Sequence, residues 1–188
     1  MFKEIREFKK WLVIAGFKNV EVEDVDAVFS KIRKETKVSV QIFNSDSIAG
    51  WRHIYFATLN ALKSFHDASN ISSNLAVETL LYASGVRQIK RSVEALGIKT
   101  TSRRLAVLII ADNKADAAET LSIISKIVGG KQDDDVLEIK TADKYASIKK
   151  TFNISNYEIE AETEKAGLER KALTDLIIER GAILTVGH

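Results

Sequence analysis

The sequence predicts an α+β fold, a two-layer α/β sandwich in which several helices pack on a small mixed sheet within a single domain. Strand and helix patterns alternate only loosely and several helices follow one another, which disfavours a regular doubly wound sheet. Leu105–Ile110 is an unbroken run of six apolar residues, typical of a central strand covered on both faces. A chain of 188 residues, 45% of them hydrophobic, is long enough to bury a core without disulfides.

Caps, alternation and glycine predict the elements of the first 66 residues. Asp24 can cap a helix in which apolar residues recur at spacings of three and four. Gly16 is interpreted as a bend or bulge between two strands. The predicted elements are a charged helix or loose end at 1–10, strands at 11–15, 17–22 and 38–43, and helices at 25–36 and 47–66.

Residues 70–99 are interpreted as two helices broken at Ser84-Gly85. In the second helix Val86, Ile89, Val93 and Leu96 recur at helical spacing and form the predicted inward stripe. The remaining predicted elements are the strand at 105–110, a helix from the Asn113 cap to Gly129-Gly130, a strand at 136–139, a helix at 142–151, a short or irregular piece at 157–161 and a helix at 164–180.

The positive charge of the chain is local. The window Arg87–Arg104 holds six basic residues and one acid, a net charge of +5, whereas the whole chain is only +2. A concentrated patch on a nearly neutral protein favours one polyanionic partner, most often a phosphate backbone. The alternative is that these side chains form an ordinary solvated helix face.

No motif for catalysis, metal binding or phosphate binding is found. Cysteine is absent, and His53, His66 and His188 have no second ligand at metal-binding spacing. His53 lies in an apolar helix, where a hydrogen-bonded packing role is the commoner one. We therefore expect a protein that is not an enzyme, without cofactor, metal or small-molecule substrate. No apolar run is long enough for a bilayer, and Met1–Lys10 lacks the apolar core of a signal peptide, which predicts a cytoplasmic protein without membrane contact.

Glu78 interrupts two apolar stretches and must lie at the edge of a buried face or bond to something within it. On a helix it neighbours Tyr82, and Arg87 begins the next helix. One hypothesis is that Glu78 orients an arginine that binds a ligand. The other is that it faces solvent on an otherwise buried helix.

These residues resemble a known family. The resemblance is densest over Glu78–Ile89. It lies in the segments 41–43, 48–50, 56–61, 70–72, 78–89, 97–98, 152–159 and 176–180. Together they are similar to the smallest accessory subunit of the KEOPS (EKC) complex, of the archaeal type, which in animals is called TPRKB, the PRPK-binding protein. The resemblance divides the chain into residues 1–16, an N-terminal segment of unassigned role, and 17–188, the accessory-subunit domain.

The resemblance implies a non-catalytic subunit that binds the small atypical kinase/ATPase subunit of KEOPS. It also implies recruitment of tRNA through the single-stranded 3′ CCA end, in support of threonylcarbamoyladenosine (t6A) modification beside the anticodon. Positive side chains can hold the phosphates of such a tail, and other groups can stack on its bases or read their edges. The predicted tRNA contacts, centred on the Ser84-Gly85 break, are Tyr82, Ser84, Gly85, Arg87, Gln88, Lys90, Arg91 and Arg104.

The kinase contact is predicted on the last helix, where apolar residues occupy two sides. Leu168, Ile177 and Ile178 are the predicted contact residues, and the alternative is that this helix is simply wedged in the core. A free-standing RNA-binding protein that acts outside KEOPS is the alternative function.

Overall fold

The centre of the sheet is the apolar strand that the sequence predicts. In a computed structural model that describes residues 1–163 and 165–184, this strand pairs with a neighbour on each side. The strands are β1 Phe2–Ile5, β2 Lys10–Lys18, β3 Ser39–Asn44, β4 Arg104–Ala111 and β5 Lys131–Gln132. Their order is β1-β2-β4-β3, and β5 pairs with the end of β2 at Phe17 and Lys18. Every pairing among these strands is antiparallel, so the described sheet lacks the parallel pair that a mixed sheet would contain.

The helices complete the predicted α+β class, which is confirmed. They are α1 Val25–Glu35, α2 Trp51–His66, α3 Leu75–Ser84, α4 Ile89–Leu96, α5 Lys114–Val128, α6 Ala142–Thr151, α7 Asn156–Glu162 and α8 Glu169–Ile183. The described chain groups into two compact units, each built from two separate segments. Unit 1 contains residues 1–45 and 97–137, and unit 2 contains residues 46–96 and the described residues from Glu138 onward.

Unit 1 is the sheet with a layer of two helices. Alternate residues of β2 and β4, among them Phe17 and Val107, point from one face of the sheet into a core shared with Ile32 of α1 and Ile124 of α5. Asp24 caps α1 by accepting a hydrogen bond from the Ala27 N–H at 3.0 Å, as predicted. Both caps and apolar stripes therefore specify the helices of this unit.

Three predicted elements in unit 1 are wrong. Residues 2–5 form a strand rather than a helix or loose end, because they pair with β2. Gly16 is not a bend, since β2 runs through it; a Cβ there would lie 2.5 Å from the backbone oxygen of Asp133, which explains the glycine. The strand predicted at 136–139 does not form, and residues 134–137 are a 3₁₀ turn instead. In each case a long-range neighbour decided the backbone conformation.

The regular secondary structure of the described part of unit 2 is helical, with loops between the helices. Helix α2 packs against α3 and α8, α3 also contacts α4 and α8, and α7 packs on α8. The predicted irregular piece at 157–161 is helix α7, which begins with a capping box between Ser155 and Glu158. The last helix begins at Glu169; Glu164, where the sequence placed its start, lies outside the described residues.

Candidate functional site

The break between α3 and α4 is present as predicted and is closely specified. Gly85 ends α3 in the left-handed region, with φ of +67°, and its N–H bonds to the Leu81 carbonyl at 3.0 Å. The hydroxyls of Ser84 and Ser92 lie 2.7 Å apart, and the Ser92 hydroxyl also donates to the Gln88 carbonyl. These bonds set the direction in which α4 leaves the turn.

Glu78 organises the loop before α3, which neither sequence hypothesis anticipated. Its carboxylate is fully buried and accepts hydrogen bonds from the N–H groups of Ile71 and Ser72 and from the Ser64 hydroxyl. The shortest of them, from Ser72, is 2.7 Å. Glu78 is thus a structural acceptor that satisfies backbone donors of a loop.

His53 lies beneath the break as a neutral packing residue, as the sequence predicts. Its Nδ1 accepts from the Ala49 N–H at 3.2 Å, so Nε2 carries the proton and donates to the Ala83 carbonyl at 2.7 Å. Burial lowers the pKa of His53 to about 4, and the nearby Lys144 also lowers it. The imidazole therefore joins the start of α2 to the end of α3.

Tyr82 does not offer a stacking surface, which corrects its predicted role. Its ring is only 2% exposed, and burial raises the pKa of its hydroxyl. The last turn of α8 packs directly behind it, because a Cβ on Gly181 would lie 2.5 Å from the Tyr82 carbonyl oxygen. In this conformation the ring is therefore not available to a base.

Arg180 fixes the end of α8 behind the break. Its guanidinium donates to the Phe152 carbonyl and pairs with the Glu158 carboxylate at 2.5 Å. Hydrogen bonds from Ser155, together with Arg180, lower the pKa of Glu158 to about 2. Gly85 lies against the same residue, since a Cβ on it would be 3.6 Å from the Arg180 backbone. One side of the break is therefore closed by α8.

Helix α4 presents a basic and apolar face to solvent. Arg87, Gln88, Lys90 and Arg91 are all exposed, as the predicted RNA contact requires. The predicted inward stripe is wrong at its centre: Ile89 is 49% exposed and Val93 is 48% exposed. Ser92 and Leu96 take the buried side instead. The reason is the Ser84–Ser92 hydrogen bond, a tertiary contact that apolar spacing does not reveal.

The predicted basic window is divided between the two units. Arg87, Lys90 and Arg91 belong to unit 2, whereas Lys99, Arg103 and Arg104 belong to unit 1. Arg104 is exposed at the start of β4, opposite Lys18 of β2, and Arg103 donates to the carbonyls of Thr100 and Ser102. Arg87 lies in the short segment between α3 and α4, and Lys90 and Arg91 lie on the first part of α4.

The predicted kinase contacts on α8 differ in accessibility. Leu168, at the N-cap, is 37% exposed, and Ile178 is half-buried. Ile177 is 1% exposed and belongs to the core with Leu173, so its side chain is not available to a partner in this conformation. The apolar surface of this helix is therefore smaller than the sequence suggested.

Exposed cations beside exposed apolar side chains, as at the start of α4, are the kind of surface that proteins use to bind macromolecular partners. Among residues 1–163 and 165–184, no helix has the length and apolar character needed to cross a membrane. The family model "Kinase binding protein CGI-121" matches residues 17–185, and the chain therefore belongs to the CGI-121 family. It is 32% identical over 136 residues to "Regulatory protein Cgi121" of Methanocaldococcus jannaschii, a match that covers 72% of this chain and 83% of that protein.

This family is the one that the sequence resemblance indicated. The chain is a kinase-binding regulatory protein of the KEOPS type and not an enzyme. Ile89 and Val93 are the surface residues that sequence reasoning missed. The sequence feature that could have indicated their exposure is the set of charged neighbours Lys90, Arg91 and Glu94. On so short a helix these residues leave little surface for a wide apolar stripe.

Proposed function

We propose that this protein binds the small atypical kinase/ATPase subunit of KEOPS and recruits tRNA through its 3′ CCA end. Recruitment in this way supports t6A formation beside the anticodon. The observation that carries the RNA part is the α4 surface, defined here as Arg87, Gln88, Ile89, Lys90, Arg91 and Val93. It combines cations with exposed apolar groups on the first part of α4 and on the two residues that precede it.

The chemistry of the α4 surface suits a single strand better than a duplex. Arginine and lysine can neutralise successive phosphates, and Gln88 can form hydrogen bonds with base edges. Ile89 and Val93 offer the apolar contact for unpaired bases that the buried Tyr82 cannot offer. A paired duplex would hide its base faces from these residues, whereas the unpaired CCA end exposes them.

The test compares a tRNA with the same tRNA lacking CCA, at two salt concentrations. Each phosphate contact on a single strand adds about 0.7 to the slope of log affinity against log salt. If Arg87 and Arg91 each hold one phosphate, the double variant Arg87→Glu/Arg91→Glu should lower that slope by about 1.4 and weaken CCA-dependent binding. Removal of CCA from the tRNA should weaken binding to the wild-type protein in the same way.

A matched control is available on α1, where Arg33 and Lys34 are two exposed cations on one helix. Arg33→Glu/Lys34→Glu changes the net charge by the same amount and should leave CCA-dependent binding intact. Equal losses in the two double variants would show that only net charge matters. Unchanged affinity after Arg87→Glu/Arg91→Glu would rule out the α4 surface as the RNA contact.

For the kinase contact we propose the exposed part of α8 at Leu168 and Ile178. Leu168→Arg/Ile178→Arg should abolish capture by the purified kinase subunit while the circular dichroism spectrum stays native. Ile183→Arg, at the opposite end of α8 and 64% exposed, is the matched control and should retain binding. Ile177→Arg is unsuitable, because a charge at a buried position would unfold the helix packing. A folded double variant that still binds the kinase would exclude this placement.

A further inference from the structure

A cleft of about 300 Å³ opens in unit 2 at the start of α2, on residues that none of the predicted contacts includes. Its walls include Gly50, Trp51 and Arg52 from α2, Glu138 from the preceding segment, and Arg170 and Lys171 from α8. Three of these six residues are cationic and one is acidic. The cleft is therefore suited to an anion.

An acidic residue behind the wall positions two of the cations. Asp175 accepts from Arg52 Nη1 at 3.1 Å and from Lys171 Nζ at 2.7 Å, and its side chain is 18% exposed. A bridging carboxylate of this kind holds two flexible side chains in defined directions. Arg170 is exposed at the same wall. Because the three cations outnumber the carboxylates of Glu138 and Asp175, the net charge of the site stays positive.

The first turn of α2 adds hydrogen-bond donors to the cleft. Its N-cap is Gly50, at φ of +97°, which has no side-chain oxygen to satisfy the N–H groups of that turn. The carboxylate of Glu138 lies over this glycine, 3.3 Å from the position of a Cβ. An anionic oxygen of the chain itself thus lies beside this helix end, on an exposed residue that another anion can displace.

Trp51 gives the cleft an aromatic wall. The ring is 37% exposed and is supported by Tyr55, whose centroid lies 6.0 Å away. Phosphate-binding cations beside an exposed aromatic ring are the combination that binds nucleotides, since the base stacks while the phosphate is neutralised. An acidic peptide would use the cations but leave this ring without a partner.

We propose that this cleft binds a nucleotide, with its phosphate between Arg170 and the start of α2 and its base on Trp51. The nucleotide can be free or part of a single-stranded RNA, and the chemistry of recognition is the same. Binding requires displacement of Glu138 from the helix end. The site is separate from the α4 surface, so the proposal goes beyond the proposed tRNA-end contact.

The experiment uses the fluorescence of Trp51 in the full chain. The sequence has two tryptophans, so Trp11→Phe leaves Trp51 as the only reporter. In this background AMP should quench the fluorescence saturably, and inorganic phosphate should compete. Arg170→Gln should weaken AMP about tenfold, the value of one charge-assisted hydrogen bond. Glu138→Gln should tighten it, because the competing carboxylate is gone.

Two controls separate the site from general electrostatics. Arg33→Gln on α1 and Glu179→Gln on α8 change the net charge equally, and both should leave AMP binding unchanged. Arg87→Glu/Arg91→Glu should also bind AMP normally, which distinguishes failure of this proposal from failure of the α4 surface.

Further outcomes assign the ligand or overturn the site. Binding of a short single-stranded RNA that depends on Arg170, without binding of AMP, supports the site and assigns it to RNA. Quenching by an aspartate-rich peptide equal to that by AMP would show a peptide site instead. The proposal would be overturned if neither AMP nor the short single-stranded RNA quenched the fluorescence saturably. Equal losses of AMP affinity in Arg170→Gln and Arg33→Gln would also overturn it.

Discussion

Replacement of Glu78 by glutamine should destabilise the protein strongly, although the two side chains have nearly the same shape. The carboxylate accepts from two backbone N–H groups, at 3.0 Å from Ile71 and 2.7 Å from Ser72, and from the Ser64 hydroxyl. A glutamine has one acceptor oxygen. In either orientation its amide NH₂ faces at least one of these donors.

The magnitude follows from the bonds that are lost. A hydrogen bond to a charged group contributes about 1.5–3 kcal/mol, and a buried donor left unsatisfied costs about 1–3 kcal/mol. Removal of the buried charge relieves some desolvation and offsets part of this loss. We expect Glu78→Gln to lower the free energy of unfolding by about 3 kcal/mol, a large part of the 5–15 kcal/mol typical of a domain.

The assay is urea unfolding at pH 7 combined with amide hydrogen exchange at Ile71 and Ser72. The exchange measurement matters because the chain forms two compact units, and one unfolding curve then need not report a single transition. Glu94→Gln, at an exposed position of α4, is the control and should change stability by less than about 0.5 kcal/mol. A Glu78→Gln variant within that limit, with protection of both amides unchanged, would refute the reasoning.

Two further predictions concern His53 and Gly181. Because the pKa of His53 falls from 6.5 to about 4 on folding, the unfolded chain binds more protons between these values, so stability should fall by about 3 kcal/mol as pH drops from 6.5 to 4. Unfolding curves across this range should show the loss, and a His53→Gln variant with an equally steep dependence would contradict its assignment to this histidine. Gly181→Ala should destabilise by about 1–3 kcal/mol despite the better helix propensity of alanine, because its Cβ would lie 2.5 Å from the Tyr82 oxygen. A urea midpoint at or above that of the wild type would show that α3 and α8 separate at no cost.

Local signals predicted much of the fold. Asp24 and Asn113 cap their helices, the break at Gly85 lies where predicted, and the apolar run 105–110 is the central strand. Each of these features depends on a side chain and its near neighbours in the chain. The family resemblance came from the same kind of information, a dense local pattern over Glu78–Ile89, and the family match confirms it.

The errors share a different origin. Residues 2–5 became a strand because β2 offers a free edge, and Gly16 stayed within a strand because the Asp133 backbone passes over it. Tyr82 and Ile177 are of residue types that often form contacts with partners, yet both are buried where α3 and α8 pack together. No pattern within a few residues of these positions carries that information.

By itself, therefore, the sequence determined the α+β class, the main helix caps, the break before α4 and the family. Only the tertiary structure decided which side of α4 faces solvent, what Glu78 binds and which predicted contacts remain accessible. The physical reason is the distance along the chain over which each kind of interaction acts. Caps, glycine turns and apolar runs act through neighbours along the chain, whereas burial and long-range hydrogen bonds, such as Ser84–Ser92 and Ser64–Glu78, exist only once separate elements meet.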